Sequence, residues 1–130
     1  DQRRSSRILL ADDSVTTRIL LKNILQTAGY TVVDVADGDQ AWKLLVGRAE
    51  DPEQSFDAVV CDVDMPRMNG FELTAQARNH HSTAATPMVL VTARGTDDDK
   101  RQGVRVGADA YIVKGSFDQQ NLLNTLSQLV

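Results

Sequence analysis

Short apolar runs alternate with longer segments of helical periodicity along the chain. The runs are Ile8-Leu9-Leu10-Ala11, Thr31 to Ala36, Ala58-Val59-Val60-Cys61, Met88-Val89-Leu90-Val91 and Tyr111-Ile112-Val113. Their length and their content of Val, Ile and Leu predict five strands. Most lack strict polar alternation, as strands do when helices cover both faces of a parallel sheet, whereas Thr31-Val32-Val33-Asp34-Val35 is more mixed and suits an edge. Between them, Ser14 to Ala28 carries Val15, Ile19, Ile24, Leu25 and Ala28 at helical spacing, with Gly29 as the closing cap. Asp39 to Ala49 places Ala41, Leu44, Leu45 and Ala49 on one stripe, and Phe71, Ala75 and Arg78 mark a third helix opened by Gly70. Asp97 to Val106 is expected to be the least stable helix, because it has consecutive acids, an internal Gly103 and few apolar residues. Asp118 to Leu129 offers Leu122, Leu123, Leu126 and Leu129 for burial, and Ser116 with Gln119 resembles a capping box.

Strict alternation of strand and helix with short connections implies right-handed crossovers. The expected fold is α/β, a doubly wound five-stranded parallel sheet in the order 2-1-3-4-5 with five helices. A chain of 130 residues, 42% hydrophobic and 25% charged, suits one folded domain rather than disorder. We expect that domain over residues 7–130, with the polar lead Asp1 to Ser6 as a linker. A net charge of -4 argues against direct binding of nucleic acid or anionic membrane. No apolar stretch approaches the roughly 18 residues of a membrane span, so a cytoplasmic location is expected. Cys61 is the only cysteine, which excludes an internal disulfide, and its apolar run suits a small buried side chain.

In a doubly wound sheet, ligands bind beyond the carboxyl ends of the strands. Asp12 and Asp13 follow the first predicted strand, Asp62 the third, Thr92 the fourth and Lys114 the fifth. Three convergent carboxylates repel one another unless a cation compensates, and oxygen ligands without His or Cys select a hard ion, Mg²⁺ in preference to a calcium cage. Adjacent acids before a helix are also ordinary N-terminal caps, but capping explains neither Asp62 nor Lys114. The set suits phosphoryl transfer to a carboxylate. Asp62 is then the nucleophile, Lys114 pairs with it before transfer and with phosphoryl oxygen afterwards, and Thr92 donates its hydroxyl.

From Arg7 to Val130 the chain resembles the receiver domain of two-component response regulators. The resemblance is carried by Ile8-Leu9-Leu10-Ala11-Asp12-Asp13-Ser14, by Cys61-Asp62-Val63-Asp64-Met65-Pro66-Arg67-Met68-Asn69-Gly70, by Val91-Thr92-Ala93 and by Gly107 to Lys114. It implies that Asp12 and Asp13 bind Mg²⁺, that Asp62 is phosphorylated and also ligates the metal, and that Asp64 contributes its backbone carbonyl. Thr92, Tyr111 and Lys114 would form the switch, acting on the surface of the fourth helix, fifth strand and fifth helix. The implied partner is the phosphohistidine donor domain of a histidine kinase. The ending Lys114 to Leu123 is similar to the C-terminal receiver of chemotaxis-type hybrid kinases of the CheA kind, which would put the donor in the same chain and make Asp1 to Ser6 an interdomain linker.

Two departures from that family stand out. Gly115 follows Lys114 where the family has proline, often after a cis bond; a cis bond before a non-proline residue costs roughly 2.5 to 4 kcal/mol. Asp64, two residues past Asp62, and Arg94, two past Thr92, are placed to pair across the mouth of the site and to slow water attack on the phosphoaspartate. Outside the site, Trp42 is expected to pack, His80 and His81 to lie in a solvated loop, and Asp97-Asp98-Asp99 to form a favourable acidic first turn. Two rivals are a haloacid-dehalogenase-type phosphatase using Asp62 and Asp64, and a flavodoxin-like binding module. The first needs acids directly after a later strand, where this chain has Leu90-Val91-Thr92; in the second, Asp12 and Asp13 would repel a phosphate. As a receiver, the chain's own chemistry would extend only to self-phosphorylation and autodephosphorylation.

Overall fold

A computed structural model describes residues 5–130. Five strands, β1 (Arg7–Ala11), β2 (Thr31–Val35), β3 (Ala58–Cys61), β4 (Met88–Thr92) and β5 (Ala110–Val113), alternate with five helices, α1 (Val15–Thr27), α2 (Gly38–Arg48), α3 (Gly70–Arg78), α4 (Asp97–Val106) and α5 (Gln119–Leu129). The strands form one parallel sheet in the order β2-β1-β3-β4-β5, as expected, and the mixed β2 is an edge. Of the expected linker, residues 1–4 lie outside the described residues; the Ser6 carbonyl already accepts from Thr31 N–H at 2.9 Å. No helix of the described residues is long and apolar enough to cross a membrane.

Successive side chains of a strand point to opposite faces, so the central strands feed two cores. Leu9, Ala11, Val59, Cys61, Met88 and Leu90 pack with Ala41, Leu45, Leu73 and Ala77 of α2 and α3. On the other face, Ile8, Leu10, Val60, Val89 and Val91 pack with Leu21 and Leu25 of α1 and Leu122 and Leu126 of α5. This two-sided burial is why these strands read as unbroken apolar runs. Trp42 packs against the first core, as expected.

Two sequence expectations need correction. In α1 the buried residues are Leu21, Ile24 and Leu25, while Val15 and Ile19 are 59% and 57% exposed. At about 100° per residue, Ile19 lies roughly opposite Leu21 and Val15 roughly opposite Ile24, so the helical spacing joins two separate faces. In α5 the N-cap is Asp118, whose side chain accepts from Gln120 N–H, and Ser116 belongs instead to a 3-10 turn spanning Lys114–Ser116. The peptide after Lys114 is trans, cis bonds being absent among the described residues, and Gly115 has no left-handed φ. Lys114–Ser116 form a 3-10 turn without left-handed backbone.

Helix α4 buries little of its surface. Gly103 is its one buried residue, and Val104 is 77% exposed. Local features define it instead: a capping box joins Thr96 and Asp99, three acids occupy its first turn, and Gly107 closes it at φ 95°.

Candidate functional site

The site lies beyond the carboxyl ends of β1, β3 and β5, where parallel pairing puts the residues after each strand side by side. Oxygen atoms of Asp12, Asp13 and Asp62 lie within 4.8 Å of one another, the one such group of possible metal ligands among the described residues. Asp12 is fully buried and Asp62 nearly so, whereas Asp13 is exposed on the turn. Lys114 reaches in from the end of β5, its Nζ 3.0 Å from Asp12 Oδ2 and 3.1 Å from Asp62 Oδ2.

Each carboxylate is held by its own backbone. Asp12 Oδ1 accepts from Ser14 N–H at 2.9 Å, and Asp62 Oδ1 from Val63 N–H at 2.7 Å. The Asp12 N–H continues the ladder to the Val35 carbonyl at 3.2 Å, and the Asp62 N–H donates to the Ala11 carbonyl at 2.9 Å. Burial raises the pKa of Asp12 above its ordinary value, against the lowering effects of the Ser14 hydrogen bond and the Lys114 ammonium. For Lys114, burial works against the charged form, but the paired oxygens of Asp12 and Asp62 outweigh it and hold the pKa up. Asp12 Oδ2 is buried and accepts no well-aligned hydrogen bond, so its charge is met only by the nearby ammonium. A buried, under-satisfied carboxylate oxygen beside two further carboxylates fits a hard divalent cation such as Mg²⁺.

The remaining predicted residues surround this centre. Thr92 ends β4 fully buried, and its Oγ1 accepts from Arg94 N–H at 3.3 Å. The Asp64 side chain turns away from the acidic cluster and pairs with Arg94, Nη2 to Oδ1 at 2.7 Å and Nε to Oδ1 at 2.9 Å. Arg94 also approaches Asp99 of α4, 3.6 Å from Nη1 to Oδ1. Tyr111 donates its hydroxyl to the Arg94 carbonyl at 2.8 Å rather than to solvent. Its ring covers Gly103, where an added Cβ would lie 2.7 Å from the ring edge. His80 and His81 stand apart from the site, stacked on each other with His80 edge-on to Trp42. Burial pushes the Cys61 thiol up and leaves it inert.

Sequence reasoning missed the supports behind these residues. Arg18 of α1 donates to the Asp12 carbonyl and pairs with Asp34 of β2. Asp34, the one charge inside β2, was the available signal. Arg67 adopts φ 71° and approaches Asp37, the N-cap of α2, 3.4 Å from Nε to Oδ2. Gly38 and Gly70 let the loop after β3 lie against neighbouring backbone: a Cβ on Gly38 would meet the Met68 carbonyl, and one on Gly70 the Asp62 carbonyl.

Beside Lys114, a cavity of about 210 Å³ is lined by Thr17, Leu20, Leu21, Val91 and Phe117. Val15, Ile19 and Leu20 leave an exposed apolar surface on α1.

The family profile of the response regulator receiver domain matches residues 8–127. The chain is 36% identical over 115 residues to the transcriptional regulatory protein CpxR of Escherichia coli, covering 88% of this chain and 45% of that protein. It is 34% identical over 125 residues to protein PilH of Pseudomonas aeruginosa, covering 96% and 98%. To the sensor histidine kinase CheAY of Helicobacter pylori it is 30% identical over 107 residues, 82% of this chain but 13% of that one. The chain thus spans less than half the length of two of these three relatives. Among solved structures, the chemotaxis response regulator CheY4 of Vibrio cholerae superposes with a TM-score of 0.80 at 33% identity, covering 97% of this chain and 99% of that one. The receiver domain of a sensor histidine kinase from Pseudomonas aeruginosa, with magnesium coordinated in its active site cleft, gives 0.82 at 25% identity and covers 96% and 97%.

Proposed function

This chain belongs to the response regulator receiver domain family of two-component signalling, and on that premise we propose that Asp62 accepts the phosphoryl group, with Asp12, Asp13, Asp62 and the Asp64 backbone carbonyl holding Mg²⁺. The observation that carries the reading is the Lys114 ammonium set between Asp12 and Asp62 at the carboxyl edge of the sheet. The family match favours neither rival.

Bound Mg²⁺ would supply positive charge against the phosphoryl oxygens. The chain's own residues do the rest. Val63 N–H holds Asp62 Oδ1, fixing the carboxylate for attack. Transfer breaks the N–P bond of the phosphohistidine and forms an O–P bond to Asp62; the imidazole nitrogen leaves with its electron pair. The new phosphoryl group displaces Asp62 Oδ2 as partner of the Lys114 ammonium, so that charge stays matched throughout. Thr92 donates its hydroxyl to a second phosphoryl oxygen. Its movement toward the phosphate would reach Tyr111 through Arg94, whose N–H and carbonyl already bond to the two side chains. The lightly buried α4 is the element most easily moved, and a switch needs two arrangements only a few kcal/mol apart.

The donor is a phosphohistidine domain of a histidine kinase. The exposed apolar face of α1 and the cleft beside Lys114 support its seating there, because a donor helix packed on them brings its imidazole to the edge where Asp62 opens. A hybrid arrangement with the donor in the same chain is supported by the likeness to CheAY and by the ending after Lys114. The proposal is tested by incubating the chain with acetyl phosphate and weighing it by mass spectrometry. One acid-labile phosphoryl group is expected with Mg²⁺ and none after chelation; uptake indifferent to the metal would refute the reading.

The Asp64–Arg94 pair closes the side of the site from which water would attack. Both side chains are about half exposed, so the pair contributes little to stability, and its effect is on access. Arg94→Ala is expected to hydrolyse the phosphoaspartate about fivefold faster, roughly 1 kcal/mol of barrier, with an unchanged melting temperature. An unaltered phosphorylated lifetime would remove this role from the pair.

A further inference from the structure

We propose that Arg18 is a positioning residue for the acidic pair: through the Asp12 carbonyl it holds the turn that presents Asp13, and Asp34 anchors it there. The inference rests on the metal reading of the site given above.

Asp12 is fixed by its surroundings, but Asp13 is exposed and depends on the course of the backbone. The Asp12 carbonyl lies in the peptide plane that leads to Asp13, so whatever holds that oxygen sets the direction of the Asp13 Cα. Arg18 Nη1 donates to it at 2.6 Å. The Arg18 side chain is only 18% exposed, which shields this charge-assisted bond from competing water.

Arg18 does not stand alone. Its Nε lies 3.2 Å from Asp34 Oδ2, and Lys22 Nζ takes the other oxygen, Oδ1, at 2.9 Å. Asp34 pairs with Leu10 in the β1–β2 register, two positions before Asp12, so the anchor belongs to the sheet rather than to the helix. The guanidinium meets the Asp34 carboxylate with Nε and the Asp12 carbonyl with Nη1; a lysine ammonium can bridge two close acceptors but lacks the fixed planar fork that holds both in this geometry. Asp34 serves a second purpose. A lone guanidinium so near the acids would oppose a divalent cation, and the adjacent carboxylate, shared with Lys22, offsets part of its charge. The turn is thereby formed before the metal arrives, and binding need not meet the cost of ordering it.

The test titrates Mg²⁺ alone into the full chain by calorimetry, with the Mg²⁺-dependent rise in melting temperature as a second readout. Arg18→Ala is expected to weaken Mg²⁺ binding about tenfold, the lower end of what losing a partner behind a metal ligand costs. Arg18→Lys should not restore it, and Asp34→Asn should weaken it by a smaller factor. Ile24→Val, which loosens the packing of the same helix without touching the turn, should bind as the parent does. Arg18→Ala within twofold of the parent, or Ile24→Val weakened as far as Arg18→Ala, would overturn the inference while leaving the metal site standing. A parent chain that bound no Mg²⁺ would overturn both. If Arg18→Ala did not fold, Arg18→Lys and Asp34→Asn would decide by the same criterion.

Discussion

Asp62→Asn is expected to take up no phosphoryl group from acetyl phosphate or from a phosphohistidine donor, at any Mg²⁺ concentration. The amide matches the carboxylate in shape, so packing around the buried side chain is retained. What is lost is the charged oxygen that attacks phosphorus. Lys114 keeps Asp12 as a partner at 3.0 Å, which prevents a stranded buried ammonium, and the variant should melt close to the parent. Mass spectrometry after incubation, with a thermal melt in parallel, checks both halves of the expectation. A phosphorylated Asp62→Asn chain would show that the acceptor lies elsewhere.

Gly70→Ala should be among the most damaging single methyl additions near the site. Its Cβ would stand 2.2 Å from the Asp62 carbonyl oxygen and 2.9 Å from Val63 Cα. Both neighbours are backbone, and no rotamer change relieves the clash. The same glycine donates its N–H to the Val63 carbonyl at 2.9 Å, and α3 begins there. Relief therefore requires either the end of β3 or the start of α3 to move. We expect a loss of about 3 kcal/mol, the upper part of the range for overpacking, and a melting temperature lower by roughly 10 °C. Because Asp62 is in the displaced segment, phosphoryl uptake should fall even well below the melting point. A variant as stable as the parent would mean that this loop yields more readily than its packing indicates.

The contrast between what could and could not be read from the sequence has a physical origin. Burial on two faces forces the central strands into unbroken apolar runs, and strict alternation with helices leaves few topologies, so strand order and the gathering of Asp12, Asp13, Asp62 and Lys114 follow from pattern. The Asp64–Arg94 pair was legible for a related reason: each residue follows one of two adjacent strands by a few positions. Helix faces were harder. Val15 and Ile19 obey the same spacing as buried residues, yet they lie on the outer side of α1, where apolar exposure beside the site suits a partner rather than a core. The cap of α5 was misplaced because Ser116 and Asp118 are both good capping residues and only the 3-10 turn decides between them. Arg18 and Asp34 were missed because their meeting depends on how far α1 leans toward β2, a matter of three-dimensional packing that no local pattern records.

The position of Lys114 bears on the order in which the molecule is made. Since the acids carry an internal counter-ion, the polypeptide can reach its finished shape where magnesium is scarce, and the proposed ion would enter a vessel already built. Such a protein would keep its architecture when the ion is withdrawn and lose only its readiness to receive a signal.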